Sequence, residues 1–144
     1  MLKRAEDRFG RIFAQCYGQA ESPMVITCLR PEDHDRVGSC GRPFTFVECA
    51  VFDDDDKLLP PGEVGEIVCR GPQTMAYYWN RPEATEQAFR SGWLHTGDVG
   101  YMDKDGFYYL VDRKNDMLIS GGYNVYPREV EDVLMAFDGV VEAA

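Results

Sequence analysis

The sequence predicts a mixed α+β fold in which β-strands form the majority. Residues 37–112 alternate runs of β-branched and aromatic residues with clusters of Asp, Pro and Gly, which is typical of short strands joined by turns. Helical spacing of apolar residues is confined to brief segments, at residues 1–9, at 81–89 and after Pro127. With 144 residues, 44% of them hydrophobic, the chain can form one domain with a sizeable core.

The first predicted element is a short amphipathic helix at residues 1–9. Leu2, Ala5 and Phe9 recur at near-helical spacing between charged residues. No capping residue precedes this helix, as expected for a chain that begins inside a longer protein. Gly10 ends the helix, and residues 11–17 are predicted to form a short buried strand.

Three strong strand candidates lie in the middle of the chain, at residues 45–52, 63–70 and 107–111. The first two are separated by an aspartate-rich loop and by Pro60-Pro61-Gly62, and the third follows a turn signal at residues 103–106. Residues 81–89 are predicted to form a short helix between strands.

The last segment changes character. Residues 117–120 are predicted to form a short strand, and Pro127 marks the start of a helix. Gly139 supplies its stop signal, and residues 140–144 could open another strand. The helix carries an apolar stripe formed by Val130, Val133, Leu134 and Phe137.

The charge balance argues against a nucleic-acid partner. Lys plus Arg is 15 and Asp plus Glu is 25, so the formal charge of −10 repels a phosphate backbone. A nucleotide would need local donors or a metal ion. Five scattered cysteines without a Cys-x-x-Cys pair predict reduced thiols in a cytoplasmic protein and no zinc site. No apolar run approaches the roughly 20 residues of a membrane span.

The first cluster that could carry chemistry is Tyr17-Gly18-Gln19-Ala20-Glu21. The glycine would let a ligand approach the backbone, the tyrosine ring can stack on a base, and the carboxylate can hold Mg²⁺. The alternative is a strand that simply ends in a turn.

The second cluster places Asp98 in a Thr-Gly-Asp sequence, where the carboxylate is expected on a tight turn and could accept both hydroxyls of a ribose. The alternative is a turn aspartate that caps its own backbone. In the third cluster, residues 111–116, the guanidinium of Arg113 could donate hydrogen bonds to ribose or phosphate oxygens. The alternative is a charged loop between strands. The fourth contains Gly121 and Gly122, which either allow close passage of a chain-like ligand or form a flexible turn. His95 is expected to be structural.

Taken in order, four motifs resemble the adenylate-forming superfamily, which comprises acyl- and aryl-CoA synthetases, peptide-synthetase adenylation domains and luciferase. The resemblance covers residue 17 to the end. The motifs are Tyr-Gly-x-x-Glu, Gly-Glu-Ile-Val-x-Arg-Gly, Gly-Trp-Leu-x-Thr-Gly-Asp and Asp-Arg-Lys-x-Asp-Met-x-Ile-Ser-Gly-Gly. The resemblance implies the reaction of a carboxylic acid with ATP to an acyl-adenylate and pyrophosphate, after which the CoA thiol displaces AMP.

The resemblance also implies residue roles. Glu21 matches the catalytic, Mg²⁺-binding glutamate, and Tyr17 matches the aromatic residue that stacks near adenine, with Gly18 between them in the motif. Asp98 matches the aspartate that binds the ribose hydroxyls, and Arg113 matches the arginine that also contacts the ribose.

Four further positions are assigned in the same way. Asn115 occupies the hinge, where the family has Asp or Lys, and Gly121 and Gly122 match the loop of the pantetheine channel of CoA. Ala20 stands where many members carry a nucleotide-contacting Thr, so we expect the nucleotide site to lack one hydrogen bond, worth about 0.5–1.5 kcal/mol.

The implied architecture is the end of a large N-terminal domain followed by the beginning of a small α/β domain. Residues 1–112 would include the β-barrel subdomain, 113–116 the hinge and 117–144 the incomplete C-terminal domain. Neither the family's phosphate loop nor its downstream catalytic lysine has a match, so we expect the chain to be inactive alone. Incomplete sheets with exposed edges favour a homo-oligomer.

The expected function is therefore part of an ATP-dependent acyl-CoA synthetase for a fatty or aryl acid, with ATP or AMP, Mg²⁺ and CoA as its ligands. The alternatives are part of a peptide-synthetase adenylation domain and a non-catalytic barrel that serves as an interaction module. Ile119-Ser120-Gly121-Gly122 favours the CoA ligases. Nothing in the sequence selects the acyl chain.

Overall fold

The computed structural model describes residues 2–114, 118–120, 123–137 and 139–143. Within these ranges the chain forms three α-helices and ten strands, which confirms the strand-rich α+β class. The helices are α1 (Leu2–Phe9), α2 (Pro82–Ala88) and α3 (Pro127–Met135), and a 3-10 turn spans Pro31–Asp33. The strands are β1 (Gln15–Gln19), β2 (Ser22–Leu29), β3 (Ser39–Pro43), β4 (Glu48–Phe52), β5 (Gly65–Arg70), β6 (Phe89–Arg90), β7 (Trp93–Met102), β8 (Tyr108–Arg113), β9 (Leu118–Ser120) and β10 (Tyr123–Val125).

One antiparallel sheet holds most of the strands. Its order is β1-β2-β3-β8-β7-β5-β4, and the short β6 pairs with β7. Strands β9 and β10 form a separate two-stranded hairpin. Because β3 pairs with β8, residues from distant parts of the sequence are brought side by side in the middle of the sheet.

The sheet curls around its apolar side chains. Ile26 of β2 packs with Cys69 of β5 and Leu94 of β7, although β2 is not a neighbour of either strand in the pairing order. A second cluster joins Ile67 of β5 to Tyr108 of β8. Each large apolar side chain buried in this way contributes about 1.5–3 kcal/mol.

The helix predictions are confirmed, with one difference at the C-terminal end. Helix α1 ends before Gly10, whose backbone N–H donates to the Glu6 carbonyl at 2.7 Å and whose φ is +79°. Helix α3 begins at Pro127 as predicted but ends at Met135, before Gly139. Residues 140–143 form no strand. The apolar stripe of α3 is largely exposed in the described part of the chain.

The predicted strands correspond to β4, β5, β8 and β9, with shifted ends. Strand β4 begins at Glu48 rather than at residue 45, because the preceding residues form a turn in which the Val47 N–H donates to the Phe44 carbonyl at 2.9 Å. The prediction of a buried strand at residues 11–17 was wrong. Strand β1 spans Gln15–Gln19 and is mostly exposed, because it lies at the edge of the sheet and pairs only with β2.

Within the described ranges, none of the helices combines the length and the apolar character needed to cross a membrane.

Candidate active site

A cleft of about 1180 Å³ lies between the β1–β2 hairpin and the β7–β8 pair. Six of the residues predicted from the sequence line it, so the fold brings together clusters that are far apart in the chain. These residues are Tyr17, Gly18, Ala20, Glu21, Asp98 and Arg113. The remaining predicted residues, Asn115, Gly121 and Gly122, lie outside the described residues.

Asp98 lies at the centre of this arrangement. Its Oδ2 accepts a 2.6 Å hydrogen bond from the Tyr17 hydroxyl, and the Arg113 Nε lies 3.6 Å from its Oδ1. Asp98 and Arg113 are direct partners in the β7–β8 register. The Asp98 side chain is 16% exposed and the Arg113 side chain is 77% exposed. A mostly buried carboxylate is therefore paired with a guanidinium that extends into solvent.

The expected tight turn at Asp98 is wrong, because this residue lies within the long strand β7. Gly97 has a φ of +74°, and the β7–β8 register shifts between Val99 and Gly100. Irregularities of this kind bend a strand and re-aim its side chains. Thr96 fixes the bend, since its hydroxyl donates to the Ile67 carbonyl at 2.6 Å and accepts the Asp98 N–H at 3.1 Å.

Tyr17 acts as a fixed donor at this site. Burial raises the pKa of its hydroxyl far above the ordinary value, and the hydrogen bond to Asp98 raises it further. The hydroxyl therefore keeps its proton at any physiological pH. The ring also packs against both apolar clusters of the core, so its orientation is fixed by the fold.

Glu21 lies on the other side of the cleft and has a partner that the sequence analysis missed. The Tyr78 hydroxyl donates to Glu21 Oε1 at 2.7 Å, and this bond, together with partial burial, raises the pKa of Tyr78 to about 12. The backbone N–H of Tyr78 donates to the Thr85 hydroxyl at 3.0 Å, which ties the tyrosine to α2. The aromatic run Tyr77-Tyr78-Trp79 was the available sequence signal.

Gly18 and Ala20 line the cleft through the chain around the β1–β2 turn. A Cβ added to Gly18 would lie 3.1 Å from the Met24 carbonyl oxygen. The close approach of β2 therefore favours glycine at this position, independently of any ligand. Ala20 is exposed in the turn that joins the two strands.

A buried carboxylate that the sequence analysis did not single out lies behind Asp98. Glu66 is 6% exposed, and its Oε1 accepts the Gly97 N–H at 3.1 Å. Its Oε2 lies 3.1 Å from His95 Nδ1 and accepts from Lys114 Nζ at 3.2 Å. Burial acts to raise the pKa of Glu66, but the hydrogen bonds from His95 and Lys114 outweigh it and lower the pKa. His95 is buried in this network, which agrees with the structural role expected for it.

Lys114 joins Glu66 to the aspartate-rich loop. Its Nζ lies 2.9 Å from Asp54 Oδ1, and its backbone N–H donates to the Gly97 carbonyl at 2.8 Å. The chain that follows Arg113 is thereby fixed against β7. The described residues contain no cluster of three or more His, Cys, Asp or Glu side chains arranged to hold a metal ion.

The chain is similar to known proteins of one family. A family model described as AMP-binding enzyme matches residues 1–79, which is more than half of the chain. The medium/long-chain-fatty-acid–CoA ligase FadD8 of Mycobacterium tuberculosis is 53% identical over 143 residues, covering 98% of this chain and 25% of the ligase.

Solved structures of O-succinylbenzoate coenzyme A synthetase (MenE) from Bacillus subtilis share the fold. The complex with AMP superposes with a TM-score of 0.89 at 41% identity, covering 98% of this chain and 29% of MenE. The complex with ATP and magnesium gives a TM-score of 0.82 at 44% identity, covering 90% and 27%.

The chain spans about a quarter of the length of the curated relatives it matches. The family match and the relatives confirm the resemblance drawn from the four motifs. The chain belongs to the AMP-binding enzyme family of adenylate-forming proteins.

Proposed function

We propose that this chain forms the ribose-binding and magnesium-binding side of the nucleotide site in an ATP-dependent acyl-CoA ligase. The reaction joins a carboxylic acid to ATP, with release of pyrophosphate, and the acyl-adenylate then passes its acyl group to the thiol of CoA, with release of AMP. The observation that carries the proposal is the convergence of Tyr17, Asp98 and Arg113 in one cleft that Glu21 also lines.

Asp98 has the chemistry needed to bind the ribose hydroxyls. An ionised carboxylate has about four lone-pair positions, and the hydrogen bond from Tyr17 occupies one of them. Partial shelter from water strengthens the remaining positions as acceptors. The guanidinium of Arg113 extends beside Asp98 and supplies donors for ribose oxygens, while the Tyr17 ring provides an apolar surface near the base.

Glu21 has the chemistry needed to hold Mg²⁺ together with a nucleotide. Magnesium sites commonly use one or two carboxylates and complete their coordination with water and substrate phosphates. Glu21 Oε1 accepts the bond from Tyr78, and in residues 2–114 Oε2 accepts none. A single available carboxylate oxygen fits a metal that arrives with its phosphates. When bound, the metal neutralises phosphate charge.

We also propose the domain division expected from the family. Residues 1–112 belong to the large domain, 113–116 form the hinge at Asn115, and 117–144 begin the small domain. Along the chain, β8 is the last strand of the large sheet and ends at Arg113, and β9 and β10 form a sheet of their own. The ion pairs of Lys114 with Glu66 and Asp54 would fix the residue immediately before Asn115, within the hinge segment. Gly121 and Gly122 are assigned to the CoA channel on sequence alone.

The substrate class is a fatty or aryl carboxylic acid. This choice rests on the names of the relatives, which include a fatty-acid–CoA ligase and a succinylbenzoate–CoA synthetase. Of the reactants, the nucleotide is the one that the proposed site residues would contact.

Nucleotide analogues that lack ribose hydroxyls test the proposal. Calorimetry or ligand-observed NMR would compare AMP with 2′,3′-dideoxy-AMP on the wild-type chain. Hydrogen bonds to a charged group contribute about 1.5–3 kcal/mol, so we expect the dideoxy nucleotide to bind roughly 10–100-fold more weakly.

The matched variants make the test specific to one carboxylate. In Asp98→Asn the difference between the two nucleotides should nearly disappear, whereas Glu63→Gln, at an exposed position that does not line the cleft, should retain it. Equal affinity of the wild-type chain for both nucleotides, or no binding of AMP, would overturn the proposal.

A further inference from the structure

Two cysteines face each other across the β1–β2 hairpin. Cys16 and Cys28 are direct partners in the antiparallel register, and their Sγ atoms are 3.8 Å apart. Opposite residues of an antiparallel pair have Cα atoms about 4.5 or 5.5 Å apart, and both values lie within the range of disulfide-linked cysteines. The two thiols can therefore reach bonding distance by side-chain rotation alone.

The environment of this pair differs from that of the other three cysteines. Cys40 and Cys69 are buried and Cys49 is partly buried, and burial raises the pKa of all three thiols. A thiol that is shielded from solvent and held in its protonated form reacts slowly. Cys16 is exposed, so among the five cysteines it is the thiol most open to an oxidant in solution.

We propose that Cys16 and Cys28 form an oxidation-sensitive dithiol, which a peroxide converts to a cross-strand disulfide. The Cys16 thiolate attacks one peroxide oxygen, so that an S–O bond forms, the O–O bond breaks and water leaves. The Cys28 sulfur then attacks Cys16, so that the S–S bond forms, the S–O bond breaks and a second water leaves. Overall, two thiols lose two electrons and two protons, and one hydrogen peroxide becomes two waters.

The order of attack follows from the burial of the two thiols. Cys28 is only partly exposed, and burial, reinforced by its contact with Cys16, raises the pKa of its thiol. Cys28 is therefore less open to peroxide than Cys16, and it acts as the resolving cysteine once the sulfenic acid has formed beside it. Sulfenic acids condense with a neighbouring thiol when one is within reach.

The position of the pair gives the bond a defined mechanical effect. Cys16 immediately precedes Tyr17, whose register partner is Thr27. A disulfide would fasten the two strands at the end of the hairpin opposite the turn at Ala20. Because the bond lies near the surface, small thiols can reduce it, and the modification is expected to be reversible.

Thiol counting and peptide mapping test the proposal on the full chain. The reduced protein is treated with a small excess of hydrogen peroxide, quenched with catalase, unfolded and alkylated. We expect the number of alkylated cysteines to fall from five to three, and dithiothreitol to restore five. Chymotrypsin cleaves after Tyr17 and separates the two cysteines, so the disulfide appears as two peptides that come apart on reduction.

Single substitutions identify the partners and their roles. Cys16→Ser and Cys28→Ser should each abolish the linked peptides, and Cys28→Ser should accumulate a Cys16 sulfenic acid that a dimedone probe labels. Cys49→Ser is the matched control and should retain the disulfide. Five alkylated cysteines after peroxide, a disulfide between other cysteines, or dimers linked through Cys16 in place of the hairpin bond would overturn the proposal.

Discussion

Arg113 lies directly opposite Asp98 across strands β7 and β8, with its Nε 3.6 Å from Asp98 Oδ1. The geometry is that of a loose ion pair, and the Arg113 side chain is 77% exposed. Exposed ion pairs contribute about 0–1 kcal/mol to folding. The Arg113 guanidinium is therefore only weakly held by Asp98, and the ligand-binding role that we propose for it does not require a strong ion pair to be broken.

Arg113→Gln should separate binding from stability. We expect the free energy of unfolding to change by less than about 1 kcal/mol, because an exposed ion pair contributes little. The affinity for AMP should fall roughly 10-fold, since one charge-assisted contact is lost. Urea unfolding followed by fluorescence measures the first quantity and calorimetry the second. A variant that binds AMP as tightly as the wild-type chain would remove Arg113 from the site.

The bond between Glu21 and Tyr78 makes a prediction that can be followed by titration. The pKa of Tyr78 is raised to about 12, first by its hydrogen bond to the Glu21 carboxylate. Glu21→Gln removes the negative charge, so we expect the pKa to fall toward about 10, the ordinary value for tyrosine. Because the folded-state pKa is the higher one, the bond stabilises the protein fully below about pH 10 and is lost at higher pH.

NMR of tyrosine ring carbons is the appropriate measurement, with the Tyr78 signal identified by its loss in Tyr78→Phe. Glu63→Gln, which changes an exposed carboxylate that does not contribute to the raised pKa of Tyr78, should leave that pKa unchanged. An unchanged Tyr78 titration in Glu21→Gln would show that Glu21 does not hold this hydroxyl in solution.

Local patterns in the sequence predicted the elements that depend on local spacing. Helices α1 and α2, the start of α3 at Pro127 and the stop at Gly10 all follow from periodicity and capping within a few residues. The error at β1 has a related cause. Periodicity cannot distinguish a central strand from an edge strand, because the difference depends on partners elsewhere in the chain.

The contacts within the site also depend on distant parts of the chain and could not be predicted from local patterns. The order of the motifs predicted Tyr17, Asp98 and Arg113 as site residues. Their contacts depend on strand pairing, because Tyr17 and Asp98 are 81 positions apart. Tyr78 was missed because its partner Glu21 is 57 positions away. Glu66 was missed because a glutamate next to a turn usually faces solvent, whereas here the donors that compensate its burial come from β7 and from Lys114.

Two glycines of the same conformational class should respond very differently to alanine. Gly38 and Gly41 have φ values of +83° and +97°, so both substitutions carry the left-handed penalty of roughly 1–2 kcal/mol. A Cβ at Gly38 meets open space, but a Cβ at Gly41 would lie 2.0 Å from the Cys28 carbonyl carbon, which would force β3 away from β2.

We therefore expect Gly41→Ala to cost more than about 4 kcal/mol, in the extreme range for single substitutions. Gly38→Ala should cost only the left-handed penalty. Chemical unfolding of both variants measures the difference directly. Equal losses would indicate that β2 and β3 do not approach each other as closely as the structure has them.

The stability that Glu66 contributes should be lost in acid. Its folded-state pKa is lowered, so its stabilising effect is present above the ordinary glutamate pKa of about 4.3 and is lost as the pH falls through the lower, folded-state value. Glu66→Gln removes the carboxylate shared by His95 and Lys114, while Lys114 keeps its ion pair with Asp54. At neutral pH we therefore expect a cost of about 1–3 kcal/mol, as for a buried polar group that loses a hydrogen-bond partner. In acid the difference in unfolding free energy between the wild-type chain and Glu66→Gln should narrow, because the wild-type carboxyl is then protonated as well.

Urea unfolding across this pH range measures that difference, with Glu63→Gln as the exposed control. If the difference in unfolding free energy stays constant into acid, altered packing accounts for the lower stability of the variant, and the charge of Glu66 does not stabilise the fold.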